Sequence, residues 1–157
     1  YILVWMMHKK GSFKRGIYRP KNKHKYIGRS TPNYRSSWEL HFFQWCDRNP
    51  NVLEWASEAV VIPYVSPVDS KTHRYFVDNI LILKEGNKNT KYLVEIKPSK
   101  QTIPPTITRK KKRETILHEQ ITYEINKAKW DAANNWSIKN GYKFIIITEK
   151  ELFPEKK

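Results

Sequence analysis

The sequence is poor in cysteine and glycine, and both shortages exclude classes of functional site. Its single cysteine, Cys46, rules out an intramolecular disulfide and any zinc site built on several cysteines, and it fits a reducing compartment. Five glycines leave no glycine-rich phosphate loop. The five histidines lack the H-E-x-x-H spacing of zinc proteases, and no serine stands in a G-x-S-x-G setting. Because Cys46 lies among aromatic residues, we expect a buried, inert thiol rather than a nucleophile.

Acidic residues are missing from two long stretches. No Asp or Glu precedes Glu39 while residues 8–29 hold nine Lys and Arg, and residues 96–113 hold seven with no acid. Over the whole chain, 30 Lys and Arg against 15 Asp and Glu give a net charge of +15. Clustered cations favour a polyanionic partner through counterion release, so we expect nucleic acid, and two separate basic segments suit a duplex such as double-stranded DNA. A basic protein merely kept soluble by its charge is the alternative, which the uneven distribution disfavours. The predicted DNA contacts are Lys9, Lys10, Lys14, Arg15, Arg19, Lys100, Arg109, Lys110, Lys111, Lys112 and Arg113.

Long hydrophobic runs are also missing. The opening YILVWMM is far too short to cross a bilayer and precedes no cleavage-site pattern, and neither basic tract forms an apolar-faced helix. We therefore expect no membrane partner. Because the chain does not begin with Met, Met7 is a candidate translation start.

The length favours one domain, with residues 1–30 as a basic N-terminal arm anchored at Tyr18 and Tyr26, and residues 31–157 as the single folded domain. Hydrophobic periodicity, turn signals and caps predict helices and strands in an order typical of an α/β fold, a mixed central sheet flanked by helices. The predicted helices run from Thr31–Pro32 to about Asn49 and from about Thr115 to Asn140, with Gly141 ending the second. The predicted strands are 57–65, 73–84, 90–97 and 142–149, with a turn at 85–89 and a loop over 98–113.

The segment KYLVEIKPSK, residues 91–100, places a carboxylate and an ammonium two residues apart at the end of an apolar strand. Successive side chains in a strand alternate faces, so Glu95 and Lys97 share one face. If the preceding turn centres on Lys88, Asp78 lies opposite about position 98, within a diagonal step of both residues. Asp78 interrupts an apolar strand, where a lone carboxylate is costly to desolvate. The sequence therefore predicts that Asp78, Glu95 and Lys97 meet.

Two converging carboxylates suit a hard divalent cation, Mg²⁺ with Mn²⁺ as the alternative, which would polarise a phosphodiester. Lys97 beside them would orient a water molecule or offset charge on the phosphate. A cross-strand salt bridge that involves Lys97 is the alternative interpretation. Glu39, the only acid in the first 46 residues, flanks the apolar stripe of the first helix and is a further candidate, or else an ordinary partner of Arg35.

The second helix carries a polar stripe beside its predicted apolar face. That face comprises Leu117, Ile121, Ile125, Ala128, Ala132 and Trp136. The stripe holds Glu124 together with Gln120 and Lys127, which are candidate phosphate contacts; a solvated helix face is the alternative.

The segments YIGRSTPNYRSSWEL, HRYFVDN, YLVEIKP and ITEKEL resemble, in order, the head completion nucleases of T4-like tailed bacteriophages, within the PD-(D/E)xK nuclease superfamily. The chain is more distantly similar to the catalytic domains of transposon-end nucleases. The resemblance covers nearly the whole chain after about Gly16. It implies a restriction-endonuclease-like fold, a metal-dependent DNA endonuclease activity, and action in head completion after DNA packaging.

Residue by residue, the resemblance implies that Glu39, Asp78, Glu95 and Lys97 are catalytic, the three acids also binding metal. Val77 stands where the family usually has Pro before the strand Asp. A catalytically silent DNA-binding protein of the head–neck junction therefore stays open as the alternative. The resemblance also implies portal or neck proteins as partners, and a location in the host cytoplasm during assembly or in the virion.

Overall fold

The structure, a computed structural model, describes residues 15–154 of the 157. In this part of the chain the helices are α1 Ser37–Arg48, α2 Arg113–Asn140 and α3 Glu149–Leu152. The strands are β1 Gly16–Ile17, β2 Asn33–Tyr34, β3 Val52–Ser57, β4 Val61–Val65, β5 Thr72–Phe76, β6 Asn79–Glu85, β7 Lys88–Ile96 and β8 Lys143–Ile147.

A four-stranded mixed sheet with the strand order β3-β6-β7-β8 forms the centre of the fold. Strands β3, β6 and β7 are antiparallel neighbours, whereas β7 and β8 run parallel. A parallel pair needs a long crossover, which α2 supplies. The predicted α/β class with a mixed sheet and flanking helices is therefore confirmed.

Each face of the sheet has its own apolar core, because side chains alternate along β6 and β7. Leu81 and Val94 face α1, whereas Ile80 and Leu93 face α2 and the β4–β5 hairpin. Trp55 at the α1 face is fully buried. Side chains of this size stabilise the fold by about 2–3 kcal/mol each. The α1-side core comprises Phe42, Phe43, Cys46, Val52, Trp55, Leu81, Val94 and Leu152, and the α2-side core comprises Ala56, Ile62, Tyr75, Val77, Ile80, Leu93 and Ala133.

Helix α1 begins later than predicted. The hydroxyl of Ser36 accepts from the backbone N–H of Glu39 at 3.2 Å and caps the helix, so Thr31 is not the cap. The predicted first turn is instead extended, because Asn33–Tyr34 pairs with Gly16–Ile17. The predicted end near Asn49 is confirmed.

The predicted strand 57–65 is shortened to β4, because its first residue, Ser57, ends β3, which was not predicted, and the predicted strand 73–84 is broken in two. Glu58 interrupts the first with a φ of 49°, in the left-handed region that an ordinary residue rarely adopts. Asp78 lies at the break in the second, between β5 and β6. The reason is tertiary: β4 and β5 pair with each other in a separate two-stranded sheet, while β3 and β6 pair in the central one.

The β6–β7 hairpin has a different register from the predicted one. Its turn is the two residues 86–87, where Gly86 has a φ of 60° and Glu85 pairs with Lys88. Asn79 consequently lies opposite Val94. Asp78 is therefore level with Glu95, and its predicted position opposite residue 98 is wrong.

Helix α2 matches its prediction in length and only in part in its buried face. It ends at Asn140, and Gly141 follows with a φ of 75°, as the stop signal predicted. Of the predicted apolar face, Ala132 and Trp136 pack on the α2-side core, whereas Leu117 and Ile121 are 59% and 38% exposed. The buried residues instead follow a stripe in the C-terminal half, which lies against β4 and β8: Asn126, Trp130, Ala133 and Ser137.

The last strand is shorter than predicted, and a short helix follows it. Strand β8 ends at Ile147, and Thr148 and Glu151 form a capping box that starts α3. Leu152 of α3 completes the α1-side core. Among the described residues, no helix is both long and apolar enough to cross a membrane.

The described part of the predicted arm lies against the domain, around the buried carboxylate of Asp47. That carboxylate accepts from the Tyr18 hydroxyl at 2.6 Å and from the N–H groups of Lys21 and Asn22 at 2.8 and 2.9 Å. The Lys25 ammonium donates to the Asp47 carbonyl at 3.0 Å. Tyr18 and Tyr26 pack on the core, so both predicted anchors are confirmed. Lys9, Lys10 and Lys14 lie outside the described residues.

We predict that Asp47→Ala lowers the free energy of unfolding by about 3 kcal/mol, since three donors lose a charged acceptor.

Burial by itself raises the pKa of Asp47, but the hydrogen bonds outweigh it and leave the pKa below its usual value. A depressed pKa contributes stability above the unfolded-state value, and that stability is lost as the pH falls through the folded-state value. Urea titrations over an acidic pH series should therefore show a flatter profile for Asp47→Asn. Asp131→Asn, at an exposed residue, is the control. Equal acid sensitivity in the wild type, Asp47→Asn and Asp131→Asn would contradict the prediction.

Candidate active site

The start of β6 and the end of β7 bring two carboxylates together. Asp78 immediately precedes β6, Glu95 is the penultimate residue of β7, and the antiparallel register sets them side by side. The backbone N–H of Ile96 donates to Oδ2 of Asp78 at 2.8 Å. The predicted meeting of Asp78 with Glu95 is therefore observed, through a register three positions from the expected one.

The Glu95 carboxylate is buried and held from both sides. The Tyr75 hydroxyl donates to Oε2 of Glu95, and Nζ of Lys97 lies 3.2 Å from Oε1. Glu95 is 5% exposed. Lys97 and Glu95 therefore share one face, as the strand alternation predicted. Their salt bridge does not exclude a catalytic role, because Lys97 remains partly exposed beside Asp78.

Asp78 is held in place at an electrostatic cost. Burial and the negative charge of Glu95 raise its pKa well above the usual value, although the Ile96 hydrogen bond opposes them. Glu39 adds to the repulsion and Lys97 reduces it. The carbonyl of Asp78 also accepts from the N–H of Glu58 at 2.9 Å, so the left-handed residue that ends β3 fixes the Asp78 backbone.

Glu39 approaches from α1, on the other side of the sheet. Burial raises its pKa, as do the charges of Glu58 and Glu95, against the hydrogen bond from the Arg35 N–H at 2.5 Å. Only the backbone of Arg35 binds Glu39. The Arg35 guanidinium contacts Glu58 instead, at 2.5 Å, so the alternative of an Arg35–Glu39 side-chain pair is not observed.

The carboxylate oxygens at this site are the ligand type that a hard divalent cation prefers, but their side chains are not gathered around one point. Besides burial, the charges of Glu95 and Glu39 raise the pKa of Asp78, whereas the Lys97 ammonium, which contacts Glu95, lowers it, and a cation would relieve this repulsion. Within residues 15–154, however, no three His, Cys, Asp or Glu side chains stand close enough to coordinate one ion. Protein donors occupy one oxygen of Glu39, one of Asp78 and both of Glu95. Mg²⁺ commonly uses one or two carboxylates and keeps several waters, so the pair of Asp78 and Glu95 matches the number of protein ligands that it takes.

The predicted DNA contacts that the structure describes are almost all at the surface. Lys111 is the exception: its Nζ binds Oε2 of Glu119 at 2.8 Å and the Thr106 carbonyl at 3.1 Å, which ties the basic loop to α2. The other end of the loop is tied where Ser99 N–H donates to Glu149 at 2.8 Å. The exposed cations are Arg15, Arg19, Lys100, Arg109, Lys110, Lys112 and Arg113.

The loop and the N-terminal half of α2 enclose a groove of about 480 Å³, lined in part by Lys100, Lys111, His118 and Tyr123. None of the four residues of the carboxylate site lines it. Gln120 and Lys127 are both exposed on α2, and neither lines the groove.

Three residues around this site were not found by sequence reasoning. Tyr75 binds Glu95, Glu58 fixes the backbone of Asp78, and Lys129 of α2 lies over the ring of Tyr75 at 5.6 Å. Only Tyr75 left a signal, a hydroxyl-bearing aromatic three residues before Asp78. Glu58 and Lys129 reach the site through long-range packing that no local pattern marks.

Two comparisons with known proteins bear on this geometry. Residues 49–149 match the family model described as TnsA-like endonuclease N terminal, a range that includes Asp78, Glu95 and Lys97 but not Glu39. Over 143 residues the chain is 41% identical to the head completion nuclease of Enterobacteria phage T4, covering 87% of this chain and 92% of that protein.

We predict that Asp78→Asn stabilises the metal-free protein at neutral pH. A raised folded-state pKa means that the folded state binds the extra proton, so stability falls as the pH rises from the unfolded-state value through the folded-state value. Asn removes this loss while keeping an acceptor for the Ile96 N–H. Adding Mg²⁺ should stabilise the wild type, by about 1.4 kcal/mol at ten times the dissociation constant, and the variant less.

Thermal unfolding with and without Mg²⁺ measures both effects, with Asp131→Asn as the matched surface variant. A wild type insensitive to Mg²⁺ and Mn²⁺, together with an Asp78→Asn protein no more stable than it, would remove the basis for a metal at this position.

Proposed function

The chain belongs to the TnsA-like endonuclease family, and from that membership and the geometry of the site we propose that it is a metal-dependent DNA endonuclease of phage head completion. Asp78 and Glu95 would hold Mg²⁺, or Mn²⁺, with Glu39 completing the acidic site and Lys97 acting beside it. The observation that carries the proposal is the pairing of Asp78 with Glu95 next to the Lys97 ammonium.

The burial of this pairing favours catalysis over a surface salt bridge. Two negatively charged side chains lie together. Glu95 is 5% exposed, and burial, together with the charge of Glu95, raises the pKa of Asp78. Such an arrangement destabilises a fold unless a cation or proton joins it, and it is typical of functional sites. A surface ion pair needs neither the second acid nor the burial.

The residues of the chain divide the work of phosphodiester hydrolysis. A divalent cation held by Asp78 and Glu95 would supply Lewis-acid polarisation of the phosphodiester. Tyr75 and Lys97 fix the two oxygens of Glu95, and Ile96 fixes one oxygen of Asp78, so the acids are preorganised. The Lys97 ammonium would orient the attacking water or offset the charge that develops on the phosphate. Glu39, whose pKa is raised by burial, lies at the α1 side and is suited to accept a proton.

The basic segments supply an electrostatic surface for the duplex. The loop after β7 leads directly from Lys97 to a cation cluster at the start of α2, where the capping residue Lys112 makes no side-chain hydrogen bond to the helix. Free N–H groups and clustered cations at a helix N-terminus favour phosphate. Lys9, Lys10, Lys14, Gln120 and Lys127 remain proposed contacts.

The proposed biological setting comes from the relative in Enterobacteria phage T4, which is a head completion nuclease. We propose the same step for this chain, with portal or neck proteins as partners and action in the host cytoplasm or in the virion. A DNA-binding structural protein without cleavage is the rival that the activity test separates.

We predict Mg²⁺-dependent nicking or cleavage of plasmid DNA that Asp78→Ala, Glu95→Ala and Lys97→Ala each reduce by at least about 100-fold, because each removes a group that stabilises the transition state. Duplex binding in EDTA should persist in all three. Gel assays of supercoiled plasmid with Mg²⁺ and with Mn²⁺ measure the activity, and Asp131→Asn should cut like the wild type. A folded wild type that binds duplex yet cuts with neither metal would leave the structural rival.

We also predict that the loop cations contribute unequally to binding. Each phosphate contact adds about 0.9 to the slope of log affinity against log salt, so Arg109→Gln with Lys110→Gln should lower the slope by about 1.8. Lys111→Gln should lower it less, because Glu119 already neutralises Lys111. Fluorescence anisotropy over a salt series distinguishes the two. Equal slopes in every protein would exclude the loop as a DNA contact.

A further inference from the structure

Lys129 is a partly buried cation that none of the assignments above uses. It lies on α2, one turn before the fully buried Ala133, on the side of the helix that packs on the α2-side core. Among the described residues, no carboxylate lies within 4.0 Å of its ammonium. Its neighbours are instead two aromatic faces: Nζ lies 5.7 Å from the ring centre of Tyr64 and 5.6 Å from that of Tyr75.

Two rings hold this ammonium in one place without neutralising it. Cation–π attraction acts within about 6 Å of a ring centre and leaves the N–H donors free for an acceptor. A tyrosine hydroxyl is neutral at pH 7, so both rings stay uncharged and the positive charge of Lys129 remains available. A lysine in a salt bridge has its charge neutralised by a protein carboxylate, as that of Lys111 is by Glu119.

Lys129 lies close enough to the carboxylates for its charge to act on a DNA strand bound there. The hydroxyl of Tyr75, whose ring face holds Lys129, donates to Glu95. One aromatic side chain therefore separates a fixed cation from the Glu95 carboxylate, on the side of the sheet formed by α2 and the β4–β5 hairpin. Successive phosphates along one DNA strand are about 3.4 Å apart along the helix axis, so a strand at the carboxylates also presents neighbouring phosphates.

We propose that Lys129, seated between the faces of Tyr64 and Tyr75, is a phosphate-binding subsite for a DNA strand that enters the carboxylate site. The ammonium acts as a point charge on a backbone phosphate next to the cleaved one and carries no sequence preference. The inference rests on the proposed function in that its ligand is DNA. It adds the side from which the strand is held, between α2 and the β4–β5 hairpin.

The test measures duplex binding in EDTA over a salt series, so cleavage plays no part in it. Lys129→Met keeps the aliphatic packing on both rings but removes the charge. It should lower affinity about tenfold and reduce the salt slope by about 0.9, and Lys129→Arg should restore both. The control is Lys91→Met, because Nζ of Lys91 also lies 5.6 Å from a ring centre, that of Tyr142, but on an exposed residue four positions before Glu95. It should leave the slope unchanged.

A second variant separates the ring face of Tyr75 from its hydroxyl. Tyr75→Phe keeps the surface under Lys129 but removes the hydrogen bond to Glu95, so the salt slope in EDTA should stay at the wild-type value. The same variant should weaken the stabilisation by Mg²⁺ in thermal unfolding, because one oxygen of Glu95 is no longer fixed.

Each remaining outcome decides the proposal. A Lys129→Met protein with an unchanged slope, whether or not it melts earlier, overturns the subsite and leaves Lys129 a packing residue. A slope that falls equally in Lys91→Met overturns it too, since any surface charge would then serve. A wild type that loses about 0.9 of its slope on Lys129→Met but never cuts with Mg²⁺ or Mn²⁺ supports the subsite while the proposed hydrolysis fails.

Discussion

The register between β6 and β7 is the constraint on which the site depends. It sets Asp78 beside Glu95, two negative charges that the fold must hold together. The surrounding groups offset this repulsion by direct contact: the Ile96 amide binds Asp78, and Tyr75 and Lys97 bind Glu95. Strain of this kind is stable only where a rigid framework imposes it. The site is therefore preorganised for a positive ligand.

The framework is rigid because the site receives residues from both faces of the sheet. Helix α1 and its core bring Glu39 from one side, while the α2-side core brings Tyr75 and Lys129 from the other. Glu58 connects the two, since its side chain binds Arg35 near the start of α1 and its N–H binds the carbonyl of Asp78. A change in either core would therefore move a functional group, because packed interiors transmit displacement.

Three acids outside the site attach the acid-free basic segments to the domain. Asp47 gathers Tyr18, Lys21 and Asn22, Glu119 holds Lys111, and Glu149 holds Ser99. Each contact leaves most of the neighbouring cations at the surface. The described parts of these segments thus lie against the domain while their charge remains available to a polyanion.

What the sequence determined by itself was local. The two-residue period of a strand placed Glu95 and Lys97 on one face, the conformational freedom of Gly141 ended α2, and apolar neighbours indicated the burial of Cys46, all confirmed. The tertiary structure alone decided which strand residue lies opposite Glu95, where α1 begins, and how Tyr75 and Lys129 reach the site. These depend on pairings between segments distant in the chain, and a shift of a few residues in such a pairing changes every neighbour without changing any local pattern.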